Sequence, residues 1–328
     1  MRAIVCHEYG PVSQLRFHED WPAPVPGPGQ VRIGVRAASM NFADALKVAG
    51  RYQVKTPLPF IPGTEVSGQI LEVAPDVTNV RVGDRVVCIM THACGGWSEQ
   101  LVLDARRLLL MPAAMSYAEG ASFPSAYGTS MHALRQRGEL KDGETLLVLG
   151  AAGGVGLAAV QLGRAMGARV IAAASSKDKL EITRRHGAHD TINYSQERLR
   201  DAVNRLTDGR GADVVYDPVG GDLFEEALHC TAWLGRLLIV GFASGRIPTV
   251  KTNLALLKGY DLRGVRFDTW RDRTWDACIQ NYQDMLAWYE QGKLRLELSA
   301  SYRLEQAVEA MTAIEERKTL GKQVFILD

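Results

Sequence analysis

The chain has 328 residues, more than one ordinary hydrophobic core organises, so two domains are expected. Hydrophobic residues make up 46% and charged residues 23%, which are globular values. Lys plus Arg number 38 against 37 Asp plus Glu, a net charge of +1, which leaves no electrostatic case for nucleic acid or an anionic membrane surface. The opening "MRAIVCHEYG" has no apolar signal core, and no run of about 18 apolar residues exists, so a soluble, cytoplasmic protein with no membrane partner is expected.

The first part of the chain reads as short strands between turn residues. "RAIVCHE", "QVRIGVRAASM", "EVSGQILEVA", "GDRVVCIM" and "SEQLVL" are β-rich, with Gly, Pro, Asn and Asp between them. "WPAPVPGPGQ" (21–30) is a rigid surface connection, because its prolines remove donors and impose extended geometry. Residues 44–48 are expected to form one short helix. From about Tyr117 the texture changes. Brief apolar strands, "TLLVLG", "RVIAAA", "TINY", "DVVYDPV", "RLLIVGF" and "DLRGV", alternate with "GVGLAAVQLGRAMG", "KDKLEITRRHG", "ERLRDAVNRLTDG" and "DLFEEALHCTAWLG", which have helical character. That alternation implies a parallel sheet with helices on both faces. After Phe267 two helices and a last strand, "KQVFIL", follow, and the last strand is expected to rejoin the first domain. The fold class is therefore α/β, with a doubly wound parallel sheet at 123–267 inserted into a β-rich domain made of 1–122 and 268–328.

The segment "GAAGGVGLAAVQLG" (150–163) carries the chemistry. A strand feeds a glycine turn, the turn opens a helix, and a second strand follows, which is one βαβ unit. The turn reads Ala151-x-Gly153-x-x-Gly156, a dinucleotide fingerprint with Ala in the first glycine position. Gly153 would let the backbone approach a pyrophosphate, and Gly156 would let the helix pack close. The helix start offers free N–H groups and a positive dipole end to phosphates. The cofactor contacts of the turn are then Ala152, Gly153, Gly154, Val155 and Gly156. An NAD site carries an acid about 20 residues on, at the end of the second strand. Here Ser175 and Ser176 stand in that place and Lys179 follows. A carboxylate would repel a 2′-phosphate, whereas serines and a lysine would bind one, so NADP(H) is the expected cofactor.

The stretch "GETLLVLGAAGGVGLAAVQLGR" (143–164) resembles the quinone oxidoreductase and zeta-crystallin signature of the medium-chain dehydrogenase/reductase superfamily. The resemblance extends along most of the chain, through "ASMNFADALKVAGRY", "IPGTEVSGQILEVAPDVTNVRVGDRVV", "FPSAYGTSMHAL" and "TLGKQVFIL". It implies a Rossmann sheet inserted into a GroES-like domain. It places Asn41 by the nicotinamide and substrate, and Thr129 at the nicotinamide end. Ser176, Lys179 and Tyr194 would surround the 2′-phosphate. The backbone around Val240, Gly241 and Phe242 would flank the carboxamide, and Arg317 or Lys322 would reach the phosphates. It also implies a homodimer joined near "DLRGVRF".

The zinc enzymes of this superfamily carry Gly-His-Glu where this chain has "PGTE" (62–65), with Thr64 in the histidine position. The early cysteine position is empty in "ASMNFAD", and the four-cysteine lobe is missing. His92 and Cys94 are two close potential ligands without a third, and a zinc site needs three or four. No metal is expected. The other cysteines, Cys6, Cys88, Cys230 and Cys278, are scattered, so reduced thiols with no shared site are expected.

Without metal, a conjugated carbonyl compound accepts hydride if hydrogen-bond donors stabilise the charge that develops on its oxygen. Asn41, Tyr52 and Thr129 are the candidate donors, although Tyr52 reads equally as a packed aromatic. Glu65 is expected to orient backbone or Arg side chains rather than to transfer protons, and solvent to supply the last proton. Leu46 stands where many quinone reductases carry a tyrosine, which makes that wall more apolar. Three functions stay open: an NADPH-dependent quinone oxidoreductase, an NADPH-dependent reductase of activated C=C bonds (enones, enals or 2-enoyl thioesters), and a non-catalytic NADPH-binding protein, crystallin-like or RNA-binding.

Overall fold

Alternating apolar residues in the first hundred positions build antiparallel strands. The computed structural model describes residues 1–90, 95–316 and 321–327. Strands β1 (Ala3–Val5) and β2 (Arg16–His18) pair with each other. Next come β3 (Gln30–Ser39), helix α1 (Phe42–Val48), β4 (Glu65–Val73), β5 (Arg85–Ile89), β6 (Gln100–Asp104) and β7 (Leu108–Leu110). Val31, Ile33 and Val35 of β3 are buried and their neighbours less so, the period of two that one core-facing side of a sheet requires. Helices α2 (Tyr117–Ser122) and α3 (Pro124–Met131) follow.

The middle of the chain supplies β8 (Thr145–Val148), α4 (Gly154–Ala165), β9 (Arg169–Ala174), α5 (Lys177–Arg185), β10 (Asp190–Asn193), α6 (Leu199–Leu206), β11 (Ala212–Asp217), α7 (Gly221–Cys230), β12 (Thr231–Ile239), α8 (Thr252–Lys258) and β13 (Asp261–Gly264). Their six strands form one parallel sheet in the order β10-β9-β8-β11-β12-β13. Counted from β8, that order is 3-2-1-4-5-6, the doubly wound dinucleotide-binding arrangement. All four residues of β8 are buried, because helices cover both faces. Helices α9 (Phe267–Arg273) and α10 (Trp275–Glu290) complete this part.

The chain then returns to the first sheet. Strand β14 (Leu298–Tyr302), helix α11 (Ala307–Glu315) and strand β15 (Lys322–Ile326) give that sheet the order β14-β15-β3-β4-β5-β7, with β6 also on β3. Strand β15 runs antiparallel to β3, and Phe325 packs edge-on against fully buried Trp97, ring centroids 5.3 Å apart.

Two compact units result, Met1–Ser125 with Leu296–Asp328, and Ala126–Arg295. The division expected at residue 267 falls instead at 295, because α9 and α10 attach to the second unit. His132 stacks on Trp270 at 4.2 Å, and the amides of Gln136 and Asn281 bond each other reciprocally at 3.1 and 3.2 Å. The helix expected through "TAWLG" ends at Cys230. Thr231 Oγ1 donates to the Ala227 carbonyl at 2.8 Å, and the chain continues as β12, where β-branched and aromatic residues fit a pleated surface. Helix α8 has no buried residue, and its apolar residues run together at 254–257, a pattern that marks helix no better than strand.

Candidate functional site

The second unit presents the glycine turn at the carboxyl end of β8, where the strand order reverses between β8 and β11. Open α/β sheets bind ligands at that point. Leu149 N donates to Tyr216 O at 3.0 Å, and Gly150 then turns with φ +56°, a conformation that glycine adopts without strain. Gly153 is the N-cap of α4. A Cβ on Gly156 would stand 2.4 Å from the Gly150 carbonyl oxygen, so the helix start is packed on the turn's own backbone. A Cβ on Gly153 would meet nothing closer than 3.4 Å, and Gly153 is exposed. Ala152 is buried, and Gly154 and Val155 are half-buried. Ser130 Oγ donates to Val155 O at 2.8 Å and lies 2.9 Å from the Tyr216 hydroxyl, which ties α3 and β11 to the turn. Thr129, the residue before it, is half-buried.

The end of β9 gathers Ser175, Ser176 and Lys179. Ser176 Oγ caps α5, accepting from Lys179 N at 3.4 Å, and Lys179 Nζ lies 3.4 Å from Ser175 Oγ. Tyr194 N donates to Ala174 O at 3.2 Å, which brings Tyr194 to the same strand end.

Asp217 was not singled out in the sequence. Its buried carboxylate accepts from Val219 N at 2.7 Å and Gly220 N at 3.0 Å, and its carbonyl accepts from Val240 N at 2.9 Å and Gly241 N at 3.3 Å. It therefore shapes the loops after β11 and β12 together, including the expected carboxamide segment, where Gly241 is half-buried and Phe242 exposed. Burial pushes the Asp217 carboxyl up, against the pull of its two amide donors. The signal was available: in Asp-Pro-Val-Gly-Gly (217–221) an Asp opens a Pro- and Gly-containing turn, and an Asp side chain there accepts from the backbone two residues on.

The first unit holds a buried charge cluster. Glu65 Oε2 accepts from Ser39 Oγ at 2.5 Å, Asn41 Nδ2 at 2.5 Å and Lys322 Nζ at 2.7 Å, and Glu65 Oε1 accepts from Ser125 N. Lys322 Nζ also donates to Asn41 Oδ1 at 2.6 Å. The side chains of Glu65 and Lys322 are 1% and 10% exposed. Burial alone would push the Glu65 carboxyl up, but the Lys322 charge and the bonds from Lys322, Ser39 and Asn41 hold it below the usual range. Glu65 thus orients a backbone N–H as expected, and its cationic partner is a lysine.

One expectation changes here. Lys322, expected on cofactor phosphates, spends its charge on Glu65 and its hydrogen bonds on Glu65 and Asn41. Tyr52 sits half-buried in the loop after α1 with Lys47 Nζ 5.4 Å from its ring centre, and its backbone N donates to Leu46 O at 3.1 Å. Arg317, His92 and Cys94 lie outside the described residues.

Asp44 completes the cluster. Its Oδ2 accepts from Asn41 N at 2.9 Å, while its buried Oδ1 has no partner among the described residues. Burial pushes its carboxyl from 3.8 up to about 6, against the Lys47 charge. The folded state therefore takes up this proton at a higher pH than the unfolded chain does, and stability falls as pH rises from about 4 through about 6. The cost above that window is up to about 3 kcal/mol. Asp44→Asn should raise the melting temperature at pH 8 and progressively less at pH 6 and pH 4. A gain that is constant across this range would exclude Asp44 as the titrating group.

Residues 27–113 match the alcohol dehydrogenase GroES-like domain family, and residues 154–288 match the zinc-binding dehydrogenase family. The chain is 39% identical over 326 residues to the quinone oxidoreductase-like protein 2 homolog of Nematostella vectensis, covering 99% of this chain and 88% of that one. It is 36% identical to the quinone oxidoreductase of Pseudomonas aeruginosa, covering 97% of each. The crystal structure of Escherichia coli quinone oxidoreductase complexed with NADPH superposes with a TM-score of 0.91 at 28% identity over all of both chains. Both domain families fall on the two units in the places the sheets assign them, and the likeness runs end to end. The chain belongs to the quinone oxidoreductase-like family of the medium-chain dehydrogenase/reductase superfamily and is an oxidoreductase enzyme.

Proposed function

We propose that the enzyme is an NADPH-dependent quinone oxidoreductase that works without a bound metal. The observation that carries this reading is the end of β9, where Ser175, Ser176 and Lys179 converge in place of a carboxylate, beside a glycine turn at the switch point of the sheet. The residues suit the cofactor. The missing Cβ of Gly153 leaves its side of the α4 N-terminus open, and the free N–H groups there favour a pyrophosphate. Lys179, Ser175 and Ser176 supply a cation and hydroxyl groups for a 2′-phosphate. The zinc-free reading rests on Thr64 in the histidine position and on donor chemistry: among the described residues no three His, Cys, Asp or Glu side chains gather as ligands. The named relatives support a quinone as acceptor.

When bound, NADPH supplies the hydride. The chain's own part is positioning and charge stabilisation. Asn41 offers an N–H to the acceptor oxygen on which negative charge develops. Glu65 is no proton donor, because Lys322, Ser39 and Asn41 all donate to it and hold it ionised. Solvent supplies the proton that completes the product.

The test follows NADPH absorbance with an ortho-quinone as acceptor and NADH in parallel, for wild type and Lys179→Ala. Wild type should consume NADPH in preference to NADH, and Lys179→Ala should raise KM for NADPH about tenfold with little change for NADH. Equal use of both cofactors would refute the 2′-phosphate role. Turnover with enones but not quinones would move the assignment to activated C=C bonds.

We also propose a homodimer joined at β13. Among the described residues this strand ends the sheet and pairs with β12 alone, and Trp233 and Leu234 of β12 are 68% and 61% exposed. Light scattering should give twice the 35.9 kDa chain mass, and a monomer would refute it.

A further inference from the structure

We propose that Lys322 and Glu65 form a positioning pair that locks the Asn41 carboxamide in one orientation, so that Asn41 faces the acceptor as a hydrogen-bond donor. This rests on the functional reading above and adds to it two residues that do not touch the reacting atoms.

An asparagine amide looks nearly the same with its oxygen and nitrogen exchanged, and the hydrogen-bond partners decide. Here they decide without ambiguity. An ammonium group only donates and an ionised carboxylate only accepts. Lys322 Nζ stands 2.6 Å from Oδ1, and Glu65 Oε2 stands 2.5 Å from Nδ2. Turning the amide over would set donor against donor and oxygen against oxygen at those distances. Two charge-assisted bonds would be lost and two repulsions gained. The lock is stiff, because Glu65 is itself held by Ser39 Oγ and Ser125 N, and Asn41 N is held by Asp44. Among the described residues one Nδ2 proton is spent on Glu65, and the second has no acceptor and remains for a ligand. Asn41 is half-buried, so its amide is not sealed off.

The connectivity explains how the lysine arrives. Lys322 is 281 residues from Asn41, at the start of β15, which pairs with β3 so that Val324 lies opposite Ser39. The first unit closes this cluster only when the chain returns from the second. A lysine bound to cofactor phosphates would instead act on NADPH affinity, and that contrast makes the inference testable.

The variants are Lys322→Met, Lys322→Arg and the double Lys322→Met/Glu65→Gln. The double variant removes both charges, so neither is left buried alone and folding is safeguarded. Three quantities are read: the NADPH dissociation constant by fluorescence, kcat and KM for the quinone, and the side-chain amide signals of 15N-asparagine-labelled protein. In wild type the two Asn41 Nδ2 protons should be widely split, one of them shifted downfield by the carboxylate. In the double variant the split should collapse, kcat should fall about tenfold or more, and the NADPH dissociation constant should stay within about twofold. Lys322→Arg, which keeps the cation, should restore part of kcat. A tenfold or larger loss of NADPH affinity with kcat unchanged would overturn the proposal and return Lys322 to the phosphates. An unchanged amide split would overturn it as well. If wild type reduces no acceptor, the functional reading fails, and the amide signals, which need no turnover, still decide whether the pair fixes Asn41.

Discussion

Gly153→Ala should leave the melting temperature within a degree or two of wild type and weaken NADPH binding at least about tenfold, whereas Gly156→Ala should lose both stability and binding. The two glycines are three residues apart in one turn, and their surroundings differ. The new methyl at 153 meets no protein atom closer than 3.4 Å and projects from an exposed residue at the helix start. It costs the fold little and occupies space that a pyrophosphate would need. At 156 the methyl would lie 2.4 Å from the Gly150 carbonyl oxygen and 2.9 Å from Ala151 Cα. These are backbone atoms that no rotamer change can move. Overpacking of this kind costs about 1–3 kcal/mol, and the upper part of that range applies where the clash is with backbone. Calorimetry with fluorescence titration of NADPH separates the two. Wild-type affinity in Gly153→Ala would remove the turn from the cofactor site.

The turn was legible because its reasons are local. A buried apolar strand, glycines at fixed offsets and a helix start are all written within some fifteen residues, and β9 spans the same Arg169–Ala174 that "RVIAAA" marked. The serine and lysine cluster was legible for the same reason, since Lys179 reaches back only four residues to Ser175. What could not be read was long-range. Nothing near Lys322 announces a carboxylate 257 residues earlier, and its neighbours in sequence gave only a positive charge near the C-terminus. The resemblance assigned it to phosphates, while the register of β15 on β3 carries it to Glu65. The division at residue 295 was hidden likewise, because an amphipathic helix such as α10 does not say which unit its face will join. Asn281 and Trp270 answer only through their contacts with Gln136 and His132.

That buried pair carries the second large effect. Glu65→Leu alone should destabilise the fold by about 3–5 kcal/mol, because it leaves the Lys322 ammonium nearly buried with no counter-charge. The same substitution strips an acceptor from Ser39, Asn41 and Ser125 N. Adding Lys322→Met should recover most of the loss, since removing both charges of a buried pair avoids the desolvation that either charge suffers alone. The pH dependence gives an independent check. The Glu65 carboxyl is held below its ordinary value of 4.5, so its contribution is fully present above that pH and is lost as acid protonates the folded state. Wild type should therefore lose stability on acidification below about pH 4.5, and the double variant should lose less. Asp44 acts in the opposite sense at higher pH, so the Glu65 effect is read most cleanly in an Asp44→Asn background. If Glu65→Leu alone proved as stable as wild type, the pair would contribute nothing to the fold. The role of the pair would then rest on the orientation of Asn41 alone.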